Sequence, residues 1–324
     1  MMNKELSIDN SFYYINDKLN KMYYNQIMEK DKFIQLESIN SFYNHLIQKN
    51  YSENTKLSYI NELYFFHEFK KKDLSKVTEE DIRDYLEFLN LKKEQTTSVR
   101  RKISTFKSYY KYLYQSGYID KKDYPLARIA YPKAEKKLPK FIYYNDLLEI
   151  IEESSKNKDG TRDKLIIEML YATGLRVSEL VNIKLNDIDF NNKRIIVCGK
   201  GNKERIVYYG DYAEKALKEY LNTHQKNKQN YLFMNSRGEQ LTDRGVRYII
   251  DNIMKKLSVK THVTPHVLRH TFATDMLNNG CDIKVVQELL GHSSLRTTEV
   301  YTHVTNERLK EVYYKCFPRR DKDE

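Results

Sequence analysis

Apolar residues in the first third of the chain recur with the period of an α-helix. The first glycine is Gly117 and the first proline is Pro125, so the residues before them lack both strong helix breakers. The pattern predicts a domain of four helices, near residues 31–49, 54–71, 79–91 and 96–116.

The window 96–116 predicts a helix with two distinct faces. One face is an apolar stripe formed by Val99, Ile103, Phe106, Tyr110 and Leu113. Arg100, Lys107 and Lys111 share a second, separate face. The first face is suited to packing. The second is either a surface that binds DNA phosphates or a plain solvated charged face.

The C-terminal part mixes helical and strand-like patterns. Apolar periodicity predicts helices over 145–154 and 162–172. Runs rich in β-branched residues predict two strands, Arg194–Cys198 and Glu204–Tyr209, which the turn Gly199–Lys203 would join as a hairpin. Further along, the pattern predicts a helix over 212–226, a short strand over 231–234 and mostly helix over 242–315.

Three of the five prolines, Pro125, Pro132 and Pro139, mark an extended basic linker. The chain therefore divides into two domains, as its length of 324 residues also suggests. The predicted fold class is mainly α, with a helical N-terminal domain and a mixed, mostly helical C-terminal domain that contains a small antiparallel β-sheet. The predicted segments are an N-terminal extension over 1–29, a helical domain over 30–124, a linker over 125–140 and a larger domain over 141–324.

The charge of the chain points to a polyanionic partner. Its 56 Lys and Arg residues outnumber its 45 Asp and Glu residues, which gives a formal net charge of +11. The excess is shared, since residues 1–130 carry 22 basic and 18 acidic side chains and residues 131–324 carry 34 and 27. Basic character in both domains suits nucleic acid or an anionic membrane surface.

Composition argues against several other classes of protein. The mean hydropathy is −0.75, and no window approaches the roughly 18 apolar residues of a membrane span. The first residues lack the apolar core of a secretory signal. Cys198, Cys281 and Cys316 are scattered and never in CxxC spacing, which argues against a disulfide framework and suits a cytoplasmic protein.

A predicted helix start carries the first candidates for phosphate chemistry. Thr264 is a good N-cap and Pro265 a good first helical residue, so His266 and Arg269 lie three residues apart on one face of the helix, near its positive end. A guanidinium binds two phosphate oxygens and an imidazole exchanges a proton, so the pair suits a phosphodiester. Taken alone, it is equally consistent with a structural histidine beside a surface arginine.

The spacing of His262, His266 and His270 raises the alternative of a zinc site. Pro265 places the helix start after His262, and no glutamate completes an HExxH sequence. We therefore expect no metal site here, and we expect His270 to be packed or to lie behind the site.

Further candidates lie on either side of the predicted strands. Arg176 follows Gly174, which ends an apolar helix, and stands at the start of the next helix, which contains Glu179. A guanidinium there can bind an anion together with backbone N–H groups. Lys200 lies in the predicted turn, from which its side chain can reach a DNA groove. An ordinary surface arginine and a solvated turn are the plain alternatives.

The last candidates follow a predicted helix end at Gly291. His292 comes directly after that glycine, and Tyr301 stands nine residues beyond His292. Tyr301 is one of 28 tyrosines, so its presence alone indicates no function.

In the order of these residues and in the sequence motifs around them, the chain resembles the tyrosine recombinase (phage integrase-like) family, most closely its Xer-type bacterial members. The matching motifs are ATGLRVSEL (172–180), GKGNKER (199–205), TPHVLRHTFAT (264–274), LLGHSS (289–294) and TTEVYTHV (297–304). The resemblance covers the chain from residue 30 onward. It implies a SAM-like core-binding domain followed by a catalytic domain with the DNA breaking-rejoining enzyme fold.

The resemblance implies a covalent reaction with DNA. Tyr301 would attack the scissile phosphate, form a 3′-phosphotyrosyl link and free a 5′-hydroxyl. Arg176 and Arg269 would bind the non-bridging oxygens and stabilise the charged transition state, and His292 would add a hydrogen bond.

The resemblance also implies the proton transfers. Lys200 would act as general acid toward the departing 5′-oxygen, and His266 would handle the tyrosine proton. Glu179 would support Arg176 from behind. The phosphotyrosyl bond retains the energy of the phosphodiester and arginines take the place of metal cations, so the resemblance implies no cofactor, no metal and no ATP.

The implied partners are double-stranded DNA and further recombinase protomers. Members of the family exchange strands pairwise through a Holliday junction, as a homo- or hetero-tetramer on two DNA sites, so a second recombinase or an accessory activator is a possible partner. The implied location is cytoplasmic and nucleoid-associated, with no membrane. A C-terminal helix over 305–316 has Leu309, Val312 and Tyr313 on one side. In the family such a helix docks on a neighbouring protomer, and packing on its own domain is the alternative.

Several related functions remain open at this point. An Xer-type role in chromosome dimer resolution and an integrase of a phage or mobile element share the same chemistry, and the DNA site distinguishes them. A DNA-binding protein without catalysis is disfavoured by the complete set of six candidate residues. A relaxing topoisomerase, which acts as a monomer, is disfavoured by the docking helix.

Overall fold

The computed structural model describes residues 37–133, 141–199, 203–223, 230–257, 262–291 and 306–319. The chain divides into two compact units, residues 1–136 and residues 137–324. None of the described helices has the length and apolar character needed to cross a membrane.

The first unit is helical. Its helices are α1 (Glu37–Gln48), α2 (Glu53–Lys70), α3 (Glu79–Leu91) and α4 (Thr96–Gln115), with single 3₁₀ turns at Leu74–Lys76 and Lys121–Asp123. The start of α3 is fixed by a capping box, in which the Thr78 hydroxyl accepts from the Asp81 N–H and the Asp81 carboxylate accepts from the Thr78 N–H at 2.9 Å.

The core of this unit combines aliphatic side chains with a group of buried aromatic rings. Phe42 of α1, Phe66 of α2 and Phe106 of α4 are fully buried. The predicted apolar stripe of α4 is confirmed, because Ile103, Phe106, Tyr110 and Leu113 are buried and Val99 is half-buried. This packing holds α4 against α1 and α2.

The second unit combines helices with one small sheet. Its elements in chain order are α5 (Tyr144–Ser155), α6 (Gly160–Thr173), α7 (Val177–Val181), a 3₁₀ turn (Leu185–Asp187), β1 (Ile188–Asp189), β2 (Arg194–Cys198), β3 (Glu204–Tyr208), α8 (Asp211–Thr223), α9 (Asp243–Lys256), α10 (Pro265–Asn278), α11 (Ile283–Leu289) and α12 (Asn306–Cys316). The sheet is antiparallel in the order β1-β2-β3, with Ile195 opposite Val207. The predicted fold class, mainly α with a small antiparallel sheet, is confirmed.

Two details of the sheet differ from the sequence prediction. The short β1 pairs with β2, which the pattern did not single out. The strand predicted over 231–234 is wrong, because Tyr231 and Met234 form only isolated bridges, to Lys184 and Gln240. A run of four apolar residues indicates burial but not the length of its pairing.

Helix α6 lies at the centre of the second unit, and every residue from Leu165 to Thr173 is buried. Gly174 ends it in a left-handed conformation, with φ of +60°. A Cβ at this position would lie 2.5 Å from the Phe272 ring of α10 and 2.8 Å from the Leu290 side chain. Only glycine fits, so the loop after α6 is held closely against α10 and the end of α11.

The C-terminal helix α12 packs on its own unit. Leu309 and Tyr313 are buried and Val312 is half-buried, and the Tyr313 hydroxyl donates to the Ala172 carbonyl at 3.0 Å. Beyond the helix, buried Arg319 donates to both carboxylate oxygens of Glu168, with distances of 2.6 to 3.2 Å. The apolar side of α12 is thus covered by residues of its own chain. Docking of this helix on a neighbouring protomer stays a prediction.

Candidate active site

Arg176 is held by the first turn of α7. Its backbone N–H donates to Oε2 of Glu179 at 2.8 Å, and its Nη1 donates to Oε1 of the same carboxylate at 2.8 Å. Nη2 reaches the Gly291 carbonyl at 3.5 Å. The Arg176 side chain remains 38% exposed, whereas that of Glu179 is 3% exposed, so the carboxylate supports the guanidinium from inside.

Arg269 projects from the second turn of α10, and this helix begins as predicted. The Thr264 hydroxyl caps the helix by accepting from the Val267 N–H at 3.2 Å, and Pro265 is the first helical residue. The buried Arg269 guanidinium donates to the carbonyls of Gly174 at 2.5 Å and Leu290 at 2.6 Å. It therefore joins the loop after α6 to the end of α11.

A third guanidinium, which sequence analysis did not single out, completes the cluster. Arg205 of β3 makes a two-pronged hydrogen bond to Glu179, at 2.8 Å and 2.9 Å. Arg269 Nη1 also lies 3.9 Å from Oε2 of Glu179. One buried carboxylate therefore lies among three arginines. We call these four residues the arginine cluster: Arg176, Arg205, Arg269 and Glu179.

The arginine cluster is strongly electropositive, since it holds three positive charges and one negative charge. Burial acts to raise the pKa of Glu179, but hydrogen bonds from Arg205 and Arg176 outweigh it and hold that pKa below its ordinary value. Burial, with the nearby charge of Arg176, lowers the pKa of Arg269 to about 10. An anion placed here would relieve the repulsion among the guanidinium groups, so the cluster is suited to bind one.

The other predicted residues fall into two groups. His266 is exposed on the first turn of α10, one turn before Arg269. Lys200, His292 and Tyr301 lie outside the described residues. Their chain neighbours reach the arginine cluster, however: Gly291, which precedes His292, accepts from Arg176, and a Cβ on Gly199, which precedes Lys200, would lie 3.5 Å from Oε1 of Glu179.

The histidines of α10 do not gather around a common point with other ligands. His262 precedes the helix and is exposed, and His270 is half-buried. Within the described ranges, no three His, Cys, Asp or Glu side chains are grouped so that they could hold a metal ion.

The predicted basic face of α4 is organised by an unpredicted partner, Tyr131. The Lys107 ammonium lies 4.3 Å from the centre of the Tyr131 ring and the Arg100 guanidinium 5.1 Å from it. Arg100 also donates to the Pro132 carbonyl at 2.6 Å. Lys111 is exposed. Arg100 and Lys107 are therefore held in place by Tyr131 and Pro132, which follow the helices of the first unit.

Family models match both units of the chain. The description "Phage integrase, N-terminal SAM-like domain" matches residues 39–117, and "Phage integrase family" matches residues 140–308. The tyrosine recombinase XerC of Staphylococcus epidermidis is 42% identical over 286 residues, which cover 86% of this chain and 96% of that protein. XerC of Oceanobacillus iheyensis is 43% identical over 294 residues, which cover 87% and 96%.

Solved structures share the fold. A lambda integrase dimer bound to a COC′ core site is 18% identical, with a TM-score of 0.65, and covers 83% of this chain and 98% of its own. The XerH site-specific recombinase bound to difH substrate is 23% identical, with a TM-score of 0.61, and covers 85% and 93%.

The chain belongs to the phage integrase family of tyrosine recombinases. It is a tyrosine-type site-specific recombinase, an enzyme that cleaves and rejoins DNA. The resemblance found in the sequence is thereby confirmed.

Proposed function

We propose that Tyr301 is the nucleophile of this recombinase and that the arginine cluster binds the scissile phosphate. The observation that carries the proposal is the placement of Arg176 and Arg269 around one buried carboxylate, Glu179, with an excess of positive charge. The Arg176 side chain is partly exposed and can donate outward, while Arg269 is fixed by two backbone carbonyls.

The proposed reaction conserves atoms and charge without an external reactant. The Tyr301 oxygen forms a bond to phosphorus as the bond from phosphorus to the 5′-oxygen breaks, which leaves a 3′-phosphotyrosyl link. Lys200 donates a proton to the departing 5′-oxygen, and His266 accepts the proton of the tyrosine hydroxyl. His292 donates a further hydrogen bond to the phosphate. A 5′-hydroxyl from a second strand reverses these steps and seals the new junction.

We further propose an Xer-type role in chromosome dimer resolution, supported by the identity to XerC proteins over most of the chain. The protein would act on double-stranded DNA at the nucleoid. Four protomers on two sites would exchange strands pairwise through a Holliday junction, as a homo-tetramer or with a second recombinase, and an accessory activator could start the reaction. An integrase of a phage or mobile element is the competing assignment.

Recovery of the covalent intermediate from cells tests this proposal. Cells are lysed in denaturant, DNA attached to the protein is recovered, and its ends are sequenced. We expect one chromosomal site to be enriched with wild-type protein and lost with Tyr301→Phe. Enrichment at the ends of a mobile element would support the integrase assignment instead. No enriched DNA, from cells that express folded protein, would contradict the proposed chemistry.

We also propose that Arg100, Lys107 and Lys111 on α4 contact DNA phosphates. A protein that neutralises about 6–10 phosphates loses roughly 10³–10⁵ in affinity between 50 and 200 mM salt. Removing Lys107 and Lys111 together should reduce the slope of log affinity against log salt by up to about two units. Gel shifts over a salt series provide the measurement.

The matched control for this prediction is Lys121→Ala with Lys122→Ala. Both residues are exposed lysines of the same unit, so the double variant loses the same charge. Its salt slope should stay at the wild-type value. Equal slopes for the two double variants would place the α4 face in solvent.

A further inference from the structure

The side chain of Arg205 extends from β3 and binds two other parts of the second unit, Glu179 and the end of α11. Nη1 and Nη2 donate to the two oxygens of Glu179 at 2.8 Å and 2.9 Å. Nε donates to the Leu289 carbonyl at 3.4 Å, at the end of α11. The Arg205 side chain is 15% exposed, so most of its surface is in contact with other parts of the protein.

Two glycines let the backbone approach the Arg205 side chain. A Cβ on Gly291 would lie 2.9 Å from both Cδ and Nε of Arg205, and a Cβ on Gly199 would lie 3.4 Å from Nη1. Gly291 precedes His292 and Gly199 precedes Lys200 in the chain. Arg205 thus packs against Gly199 and Gly291, the residues that precede the proposed catalytic residues. It also binds Glu179, the carboxylate that holds Arg176.

The charge of Arg205 also matters for a phosphate ligand. Without Arg205, the Glu179 carboxylate would offset one of the two charges on Arg176 and Arg269. With Arg205 paired to both of its oxygens, the carboxylate is neutralised from behind. The full charge of Arg176 and Arg269 then remains available to a phosphate.

We propose that Arg205 is a positioning residue for DNA cleavage, which aligns Arg176 and the backbone next to Lys200 and His292 while it neutralises Glu179. The inference rests on the proposed function of the arginine cluster. It does not make Arg205 a catalytic residue, because both of its terminal nitrogens donate to the Glu179 carboxylate, whereas those of Arg269 donate only to neutral backbone carbonyls.

The first test compares Arg205→Met and Arg205→Lys in single-turnover cleavage of a nicked substrate that traps the covalent adduct. We expect Arg205→Met to cleave about 10- to 100-fold more slowly than wild type, which is the loss typical when the hydrogen-bond partner of a metal ligand is removed. Arg205→Lys keeps the charge but not the two-pronged bond and should be intermediate. DNA binding, which depends on many phosphates, should change little.

A neutral substrate separates the role in charge from a general loss of structure. In a methylphosphonate, a methyl group replaces one non-bridging oxygen of the scissile phosphate, so the transition state carries less negative charge. The rate ratio of wild type to Arg205→Met should therefore shrink on this substrate. An equal ratio on both substrates would overturn the proposed role in charge.

The second test uses glycine variants and leaves Arg205 in place. Gly291 and Gly280 both have a positive φ, of +63° and +83°, so alanine strains the backbone at either position. Only Gly291→Ala places a methyl against Arg205, because nothing lies within 4 Å of the corresponding Cβ at Gly280. We expect Gly291→Ala to slow cleavage as Arg205→Met does, and Gly280→Ala to cleave at nearly the wild-type rate.

The outcomes distinguish this inference from the function on which it rests. If wild-type protein forms no adduct, the proposed function fails and the role of Arg205 fails with it. If wild type forms the adduct and Arg205→Met matches its rate, only the positioning role is overturned. Equal rates for Gly291→Ala and Gly280→Ala would likewise overturn it.

Discussion

Tyr301→Phe is expected to bind DNA as wild type does and to form no covalent adduct. The substitution removes only the hydroxyl oxygen that would attack phosphorus, whereas DNA affinity comes mainly from contacts between basic side chains and phosphates. A nicked substrate that traps the adduct, analysed on a denaturing gel, gives the first measurement. A gel shift on the same DNA gives the second.

Tyr248→Phe is the matched control for this experiment. Tyr248 lies on α9 with 66% of its surface exposed, and its loss of a hydroxyl should leave adduct formation unchanged. An adduct that persists in the Tyr301→Phe protein would show that another residue attacks the phosphate. The assignment of the nucleophile would then be wrong even though the family is not in question.

The second large effect is expected from Glu168→Leu. Glu168 and Arg319 are both buried and joined by three hydrogen bonds, so the substitution leaves a buried guanidinium without its carboxylate. Breaking a buried ion pair from one side costs about 3–5 kcal/mol. We expect the free energy of unfolding of the second unit, measured in urea, to fall by this amount.

Two further variants define the cause. The double variant Glu168→Leu with Arg319→Met removes both charges and should recover much of the loss. Arg308→Ala removes an exposed pair with Glu311 on α12 and should change stability by about 0–1 kcal/mol. If Glu168→Leu were as stable as wild type, the C-terminal segment of the free protein would not be packed as described.

This result bears on assembly. For α12 to dock on a neighbouring protomer, the Tyr313 and Arg319 contacts would have to be broken and then replaced by equivalent ones. Deleting the helix would expose the core that it covers, so loss of function in a deletion would not isolate an assembly defect. Substitutions at exposed positions of α12, such as Arg308, test assembly without that ambiguity.

The fold was largely predictable because its signals are local. Thr264 caps a helix where the sequence places it, α3 covers the predicted residues 79–91, and the apolar stripe of α4 faces the core. Strands β2 and β3 begin at the predicted residues, and β3 ends one residue earlier. What failed was the pairing of short segments, as at 231–234, because pairing depends on which backbone lies alongside.

The candidate site was predictable only in part. Arg176, Glu179 and Arg269 come together as the family motifs imply. Arg205 lies within one of those motifs, but the sequence of a strand does not indicate which residues a long charged side chain contacts. Glu179 lies 26 residues away in sequence, so the bond between them depends on tertiary structure.

The basic face of α4 illustrates the same limit. Periodicity grouped Arg100, Lys107 and Lys111 on one side, and only the tertiary structure reveals that Tyr131 lies against two of them. The signal that could have indicated this is a tyrosine beside Pro132 in a basic segment, since such a ring offers its face to cations.

The carbonyl acceptors of the arginines have a consequence for protein synthesis. Arg269 and Arg205 donate to Leu290 and Leu289, and Arg176 reaches Gly291, so each acceptor follows its arginine in the chain. A nascent chain that stops before Leu289 lacks all three acceptors. The arginine cluster can therefore form as described only after the chain has been synthesised through Gly291.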